Sequence, residues 1–181
     1  SAESLTLSFW VKSNKTGTYI CEVYDQDNTR QISKSYTISS ASTWEKKTIT
    51  FAGDTTGTLD NDNARSLDVY FWLAVGTDYS SGTLNTSWNS VTTANRVVGQ
   101  VNLADSTSNE WYVTGVQLEV GETASDFEFL PHDVNLRRCQ RYYFQGDGYT
   151  MRNFTGGSLA VSNMFTFPVI MRATPTITQT S

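Results

Sequence analysis

Apolar and polar residues alternate along several short stretches of this chain, with the period of a half-buried β-strand. In the first stretch, one face carries Leu5, Leu7, Phe9 and Val11. The alternation predicts strands over residues 5–12, 18–25, 30–38, 44–51, 67–75, 97–103 and 111–120. Turn-forming residues at 14–17 separate the first two strands, so we expect these two to pair as a hairpin.

Six or seven short strands with almost no helical pattern indicate an all-β fold, an antiparallel β-sandwich. In the strand over 111–120, alternation predicts one face made of Tyr112, Thr114, Val116, Leu118 and Val120. The apolar faces of the strands predict a core that contains Leu7, Phe9, Val69, Phe71, Leu73, Val116 and Leu118.

The pattern divides the chain into three parts. Residues 1–130 form the predicted sandwich, 131–144 a strap and short helix, and 145–181 the start of a second β-rich region. Asp133 is the expected N-cap of a helix over 134–141, and strands are expected over 142–147, 158–169 and 174–180. Because the chain begins without Met and ends within a predicted strand, we expect it to be an excerpt of a longer polypeptide.

Charge narrows the classes of partner. The formal net charge is −5 and the sequence pI is about 4.8. Binding to nucleic acid or to an anionic membrane requires a surplus of Lys and Arg on one face, so neither partner is expected. No apolar run reaches membrane-spanning length, so membrane insertion is not expected either.

The chain has little material for catalysis or metal binding. With one His and two Cys, zinc sites and Ser-His-Asp triads are not expected, and we predict no enzyme activity, no catalytic residue, no metal site and no cofactor. Asp68, Asp78 and Asp105 are the carboxylates that a glycosidase would need, but no spacing singles out a pair, which favours solvated loop acids. Cys21 and Cys139 form either a disulfide or two buried thiols.

Five residues are candidates for binding a glycan. Tyr70 and Trp72 lie opposite the aliphatic face of the strand over 67–75, and the long loop over 76–97 carries Tyr79, Asn85 and Trp88. Aromatic rings stack on the C–H faces of sugars while amides bind the hydroxyls, so these residues could form a glycan platform. The alternative is that the loop, the strap or a neighbouring subunit covers these rings, which would then belong to a core or an interface.

Two charged clusters could each have either a binding role or a structural role. Arg137, Arg138 and Arg141 could bind an anionic sugar or a phosphate, or could tie the helix to Asp126 or Glu128 or to an adjacent subunit. Residues 60–63, Asp-Asn-Asp-Asn, offer the oxygen ligands that calcium prefers, but they lack the glycine and the distal Glu of a calcium loop, which favours a polar turn.

Several runs resemble a segment found in virion-associated proteins of tailed bacteriophages, in tail fibres and related appendages. The resemblance covers about residues 5–144 and rests on LTLSFWVKSNKTGTY, VYFWLAVG, SGTLNTSW, TGVQLEVGETASDFEF and LRRCQRYYF. The later run FPVIMRATPTI is similar to the β-rich continuation of such proteins. The sandwich is also similar to jelly-roll carbohydrate-binding modules.

The resemblance implies a jelly-roll module on a phage virion that contributes to host recognition by binding bacterial surface polysaccharide. The alternative is a structural subunit or decoration domain used for assembly with other virion proteins. A homotrimer is expected, because phage fibres are commonly trimeric and the segments over 158–169 and 174–180 would expose apolar faces and open edges in a monomer. Carbohydrate-binding modules often hold a calcium ion with acids of the last strand, but residues 113–116 are Val-Thr-Gly-Val, so this site is not implied here.

Overall fold

The computed structural model describes residues 3–62, 64–146 and 166–177. The chain divides into two compact units, Ser1–Phe127 and Glu128–Ser181. The first unit contains all seven strands that occur in the described residues, and the second contains a nine-residue helix. No helix in the described part of the chain is long and apolar enough to cross a membrane.

The first unit is a sandwich of two antiparallel sheets. Its strands are β1 (Leu5–Ser13), β2 (Gly17–Asp25), β3 (Arg30–Ile38), β4 (Glu45–Phe51), β5 (Leu67–Trp72), β6 (Asn89–Ser90) and β7 (Trp111–Val120). One sheet has the order β4-β1-β7, and the other has the order β5-β2-β3-β6. The prediction of an all-β antiparallel sandwich is therefore confirmed.

The core lies between the two sheets and is built from alternate residues of their central strands. Phe9 is fully buried, and its ring meets Tyr36 and Phe71 edge-on, with ring centroids 5.1 and 5.0 Å apart. The remaining core residues come mainly from the same strands: Leu7, Val11, Tyr19, Cys21, Val23, Ile32, Ile38, Ile49 and Phe51. The predicted positions of Leu7 and Phe9 are confirmed, and Val69 and Phe71 pack against the core while half-buried.

The predicted hairpin of β1 and β2 is wrong, because the two strands belong to different sheets. The chain crosses from one sheet to the other at Gly17, which has a φ of 129°. A Cβ atom at this position would lie 2.5 Å from Cγ1 of Val101, so glycine is required both by the backbone and by the contact. A turn pattern indicates that the chain reverses but not which strand it pairs with.

A bulge in β7 changes which side chains face the core. Val113 pairs with Val11 and Leu118 pairs with Leu7, so two residues five apart in β7 lie on the same face. Strict alternation allows this only if one extra residue is inserted, and Gly115, with a φ of 57°, lies at the register shift. The prediction that alternate residues from Tyr112 to Val120 share one face is therefore wrong for Tyr112 and Thr114, which precede the bulge.

The burial predicted for this strand is also wrong in part. Val116 and Leu118 are expected in the core, but both side chains are exposed, as is Val120. β7 is an edge strand, so one of its sides has no neighbouring strand among the described residues. Leu73, another expected core residue, is only half-buried.

Other elements differ from prediction near the connections. Residues 97–102 are not a strand, and Leu103–Asp105 is a 3₁₀ turn. The long loop contains a short helix, α1 (Thr77–Ser80), and a 3₁₀ turn at Thr93–Asn95. Sequence periodicity does not detect such single turns, because they are shorter than the pattern it measures.

The second unit contains helix α2, His132–Gln140. Its N-cap is Pro131 rather than the predicted Asp133, and no side chain caps it. Residues 142–146, 166–169 and 174–177 do not form the strands predicted for them, while the remainder of these predicted strands lies outside the described residues. The amide of Arg172 donates to the carbonyl of Arg141 at 2.9 Å, which joins the segment at 166–177 to the end of the helix.

Candidate functional site

Three of the five predicted glycan residues surround Arg96, whose side chain is only 13% exposed, instead of forming an open surface. The Arg96 guanidinium donates through Nε and Nη2 to the two carboxylate oxygens of Glu22, at 2.8 and 2.9 Å. Glu22 is fully buried on β2. Four ring centroids lie 5.1–5.9 Å from the guanidinium carbon of Arg96, those of Tyr24, Tyr70, Trp72 and Tyr79.

We call this group the arginine cage: Glu22, Tyr24, Tyr70, Trp72, Tyr79 and Arg96. The indole N–H of Trp72 also donates to Glu22, at 2.8 Å. The faces of the rings that could stack on a sugar are therefore directed at a cation of the protein itself. This arrangement is the alternative in which the long loop covers these aromatic residues.

Hydrogen bonds to the backbone of the long loop hold this loop over the cage. The amide of Ser33 on β3 donates to the carbonyl of Asn85 at 2.7 Å, and the Ser33 hydroxyl donates to the carbonyl of Arg96 at 2.8 Å. Within the loop, the amide of Val97 donates to the carbonyl of Tyr79 at 3.0 Å. Asn85 therefore contributes its backbone to loop closure.

Trp88 lies apart from the cage and packs against the core between the sheets. Its indole N–H donates to the carbonyl of Ala52 at 2.6 Å. It also lines a cavity of about 30 Å³ together with Asp25 and Asp54. This volume is enough for only one or two water molecules. The five predicted residues thus do not converge on one accessible platform.

The aromatic residues that are exposed in the first unit lie on the outer face of the three-stranded sheet. Trp10, Trp44 and Tyr112 are 41%, 42% and 43% exposed, and they are the exposed Trp and Tyr side chains among the described residues of Ser1–Phe127. Trp10 is on β1, Tyr112 is on β7, and Trp44 directly precedes β4. We call these three residues the aromatic face.

A lysine joins two of these rings. The Lys12 ammonium lies 4.8 Å from the ring centroid of Tyr112 and 5.4 Å from that of Trp44. Lys12 pairs with Tyr112 across the two strands, which places both side chains on the outer surface. The Tyr112 hydroxyl is hydrogen-bonded to the Glu110 carboxylate, which raises the pKa of the phenol. The aromatic face therefore combines flat apolar surfaces with a cation, a carboxylate and a hydroxyl.

The segment over residues 122–127, which follows β7, borders this face. The Ser125 hydroxyl donates to the Glu119 carboxylate at 2.5 Å, and the Gln117 amide donates to Ser125 at 3.0 Å. A Cβ atom at Gly115 would lie 3.5 Å from the side chain of Trp10 and 3.8 Å from that of Phe127, which are ordinary van der Waals distances, so both side chains pack closely over this glycine. The segment over 122–127 is thus held against the outer surface of β7, beside Trp10.

The sequence contained a signal for the aromatic face. Trp10 and Lys12 alternate with Phe9 and Val11 on β1, so period-2 alternation places them opposite the core. The predicted binding residues lie on β5 and in the long loop instead, since ordered loops commonly carry function. The approach of Trp44 to Lys12 depends on how β4 pairs with β1 and could not be derived from local sequence.

No group of three or more His, Cys, Asp or Glu side chains in the described residues could hold a metal ion. Asp60 and Asp62 accept backbone N–H groups at 3.2 and 2.6 Å, as in a polar turn. Asp68 accepts from the Tyr70 hydroxyl at 2.8 Å, and Asp105 pairs with Lys15. These carboxylates serve local structure.

The two cysteines are free thiols. Cys21 is buried, and burial raises the pKa of its thiol to about 12. Cys139 is exposed on α2, so the expectation that both thiols are buried is wrong for this residue.

The chain matches no protein-family model, no curated protein and no solved structure. Its function has to be argued from the residues and from the geometry of these surfaces.

Proposed function

We propose that this chain is a non-enzymatic module of a phage virion appendage that binds host-surface glycans through the aromatic face. The observation that carries the proposal is the grouping of Trp10, Trp44 and Tyr112 on one exposed surface. Stacking on a sugar requires a ring with an open face, and the rings of the arginine cage are directed at Arg96. The resemblance to phage appendage proteins supports the location on the virion.

The polar groups near the aromatic face fit the same role. Saccharides present alternating C–H faces and hydroxyls, and a site for them combines aromatic rings with a few placed polar groups. Lys12 can donate to ring or carboxylate oxygens, and Glu110 can accept from hydroxyls. A surface built on paired strands keeps these groups at fixed spacing, so little side-chain ordering is required on binding.

Binding to an array of purified bacterial surface polysaccharides tests the proposal. We expect Trp10→Ala and Tyr112→Ala to weaken binding by at least about threefold each, because each removes a stacking contact. Tyr143→Ala is the matched control, since Tyr143 is an exposed aromatic outside this face. Equal losses in all three variants, or no binding by the unaltered chain, would contradict the glycan function.

A structural role in assembly is the second candidate, and a specific surface favours it. Val116, Leu118 and Val120 are exposed along the open edge of β7. Exposed edges with apolar side chains are commonly covered by another chain, and a homotrimer of this chain could cover them. If assembly uses this edge, Val120→Lys should lower the mass measured by sedimentation at micromolar concentration. A monomeric unaltered chain would exclude the homotrimer.

A further inference from the structure

One face of helix α2 carries three arginines in a row. Arg137, Arg138 and Arg141 follow Val134 at spacings of three, four and seven residues, which places all four on one side of a helix. Arg141 is the C-cap and keeps helical backbone angles, so the spacing continues through it. Side chains four apart on such a face have Cβ atoms about 5–6 Å apart.

These guanidinium groups have no acidic partner in the part of the chain that the structure describes. The ion pairs found there involve other arginines and lysines, and none of the three arginines donates a side-chain hydrogen bond to a described residue. The sequence left open whether they tie the helix to nearby acids. No described residue occupies their side-chain donors, which a ligand could therefore bind.

The arginines line a groove together with apolar side chains. The groove has a volume of about 660 Å³, and its other lining residues are Asp133, Val134, Val169 and Ile170. Sites for small ligands have volumes of about 300–1,000 Å³ and combine apolar walls with a few polar groups. Phe144 and Phe167 meet edge-on with ring centroids 6.5 Å apart, which is a second contact between the segment at 166–177 and the chain that follows α2.

The charge of the unit favours an anion. Residues 128–181 have five Lys and Arg against three Asp and Glu, a formal charge of +2 in an otherwise acidic chain. Residues 1–127 have eight Lys and Arg against fifteen Asp and Glu, which gives a formal charge of −7. Guanidinium groups bind carboxylates and phosphates through paired N–H donors, which a lysine cannot reproduce.

We infer that this groove binds an acidic saccharide, with its carboxylate or phosphate on Arg137, Arg138 and Arg141 and its C–H face against Val134, Val169 and Ile170. This site does not use the aromatic face. Its existence is therefore independent of the function proposed for that face.

Oligogalacturonate is a suitable probe, because its methyl ester keeps the sugar backbone and removes the charge. We expect calorimetry to show binding of oligogalacturonate that weakens with salt. The ester should bind at least about tenfold more weakly, since charge-assisted hydrogen bonds are lost. The variant Arg137→Gln/Arg141→Gln should show a similar loss, with α2 unchanged by circular dichroism.

Arg65→Gln is the matched control, because Arg65 is an exposed arginine of the first unit. It should bind oligogalacturonate as the unaltered chain does. Equal binding of the acid and its ester, or an equal loss in Arg65→Gln, would overturn the site. Inorganic phosphate that binds as tightly as the saccharide would overturn the role of the apolar wall. Absent saccharide binding, together with self-association that Arg137→Gln/Arg141→Gln abolishes, would instead assign the groove to the acidic surface of a second copy.

Discussion

Replacing Arg96 by methionine should strongly destabilise the sandwich. The substitution keeps an unbranched side chain in the arginine cage but removes both hydrogen bonds to Glu22, whose side chain is fully buried. Leaving a buried charge without its partner costs about 3–5 kcal/mol. The free energy of unfolding of an ordinary domain is about 5–15 kcal/mol, so Arg96→Met should remove a large part of it.

Tryptophan fluorescence during urea unfolding measures this loss in the first unit alone. All five tryptophans lie within residues 1–127, so the signal does not report on the second unit. Arg65→Met is the matched control, because Arg65 is also an arginine beside an acid, Asp68, at 3.4 Å, but its side chain is 67% exposed. An exposed pair contributes less than about 1 kcal/mol, so the control should unfold near the unaltered midpoint.

A double-mutant cycle distinguishes the ion pair from packing. Glu22→Gln removes the charge that Arg96 neutralises, so adding it to Arg96→Met should cost less than the sum of the two single changes. We expect a coupling of about 1–3 kcal/mol for groups in direct contact. If Arg96→Met costs less than about 1 kcal/mol, or if the two changes are additive, the ion pair of Arg96 with Glu22 does not stabilise the sandwich as its buried geometry implies.

Three further predictions concern stability. Phe71→Ala should cost about 3 kcal/mol in urea unfolding, near the lower end for this substitution because Phe71 is half-buried, and a loss below 1 kcal/mol would contradict its packing. Gly17→Ala should cost more than about 1 kcal/mol, because the backbone angle and the contact with Val101 both oppose a Cβ atom; an unchanged midpoint would refute this. At Asp54, burial opposes the charged form, but hydrogen bonds led by that from Arg30 outweigh it and lower the carboxyl pKa below its ordinary value of 3.8. The ionised carboxylate therefore stabilises the fold above pH 3.8, and this contribution is lost as pH falls through the lower pKa of the folded state. Asp54→Asn should lose less stability on acidification than the unaltered chain does. An unchanged pH profile of stability would refute the pair of Asp54 with Arg30.

The sequence by itself determined the strands and the class of fold. Strands 30–38 and 111–120 were predicted with the bounds that the structure has, because alternation is a property of neighbouring residues and needs no knowledge of partners. The bounds of helix α2 were predicted to within two residues, although the predicted N-cap, Asp133, lies inside the helix and Pro131 is the N-cap. Leu7 and Phe9 were placed correctly in the core, since they lie on the apolar face of a strand that alternates cleanly.

Tertiary structure alone decided which strands pair, which ring faces are open and which charges are neutralised. The assignment of β1 and β2 to different sheets and the bulge at Gly115 depend on contacts with residues far away in sequence. Tyr70 and Trp72 had the composition of a sugar platform, but the guanidinium of Arg96, 24 residues beyond Trp72, lies over both of their rings. The local sequence pattern indicates the polarity of each position, but the segment that packs over a side chain sets its accessibility. Only the folded chain could therefore distinguish the covered rings of the arginine cage from the exposed rings of the aromatic face.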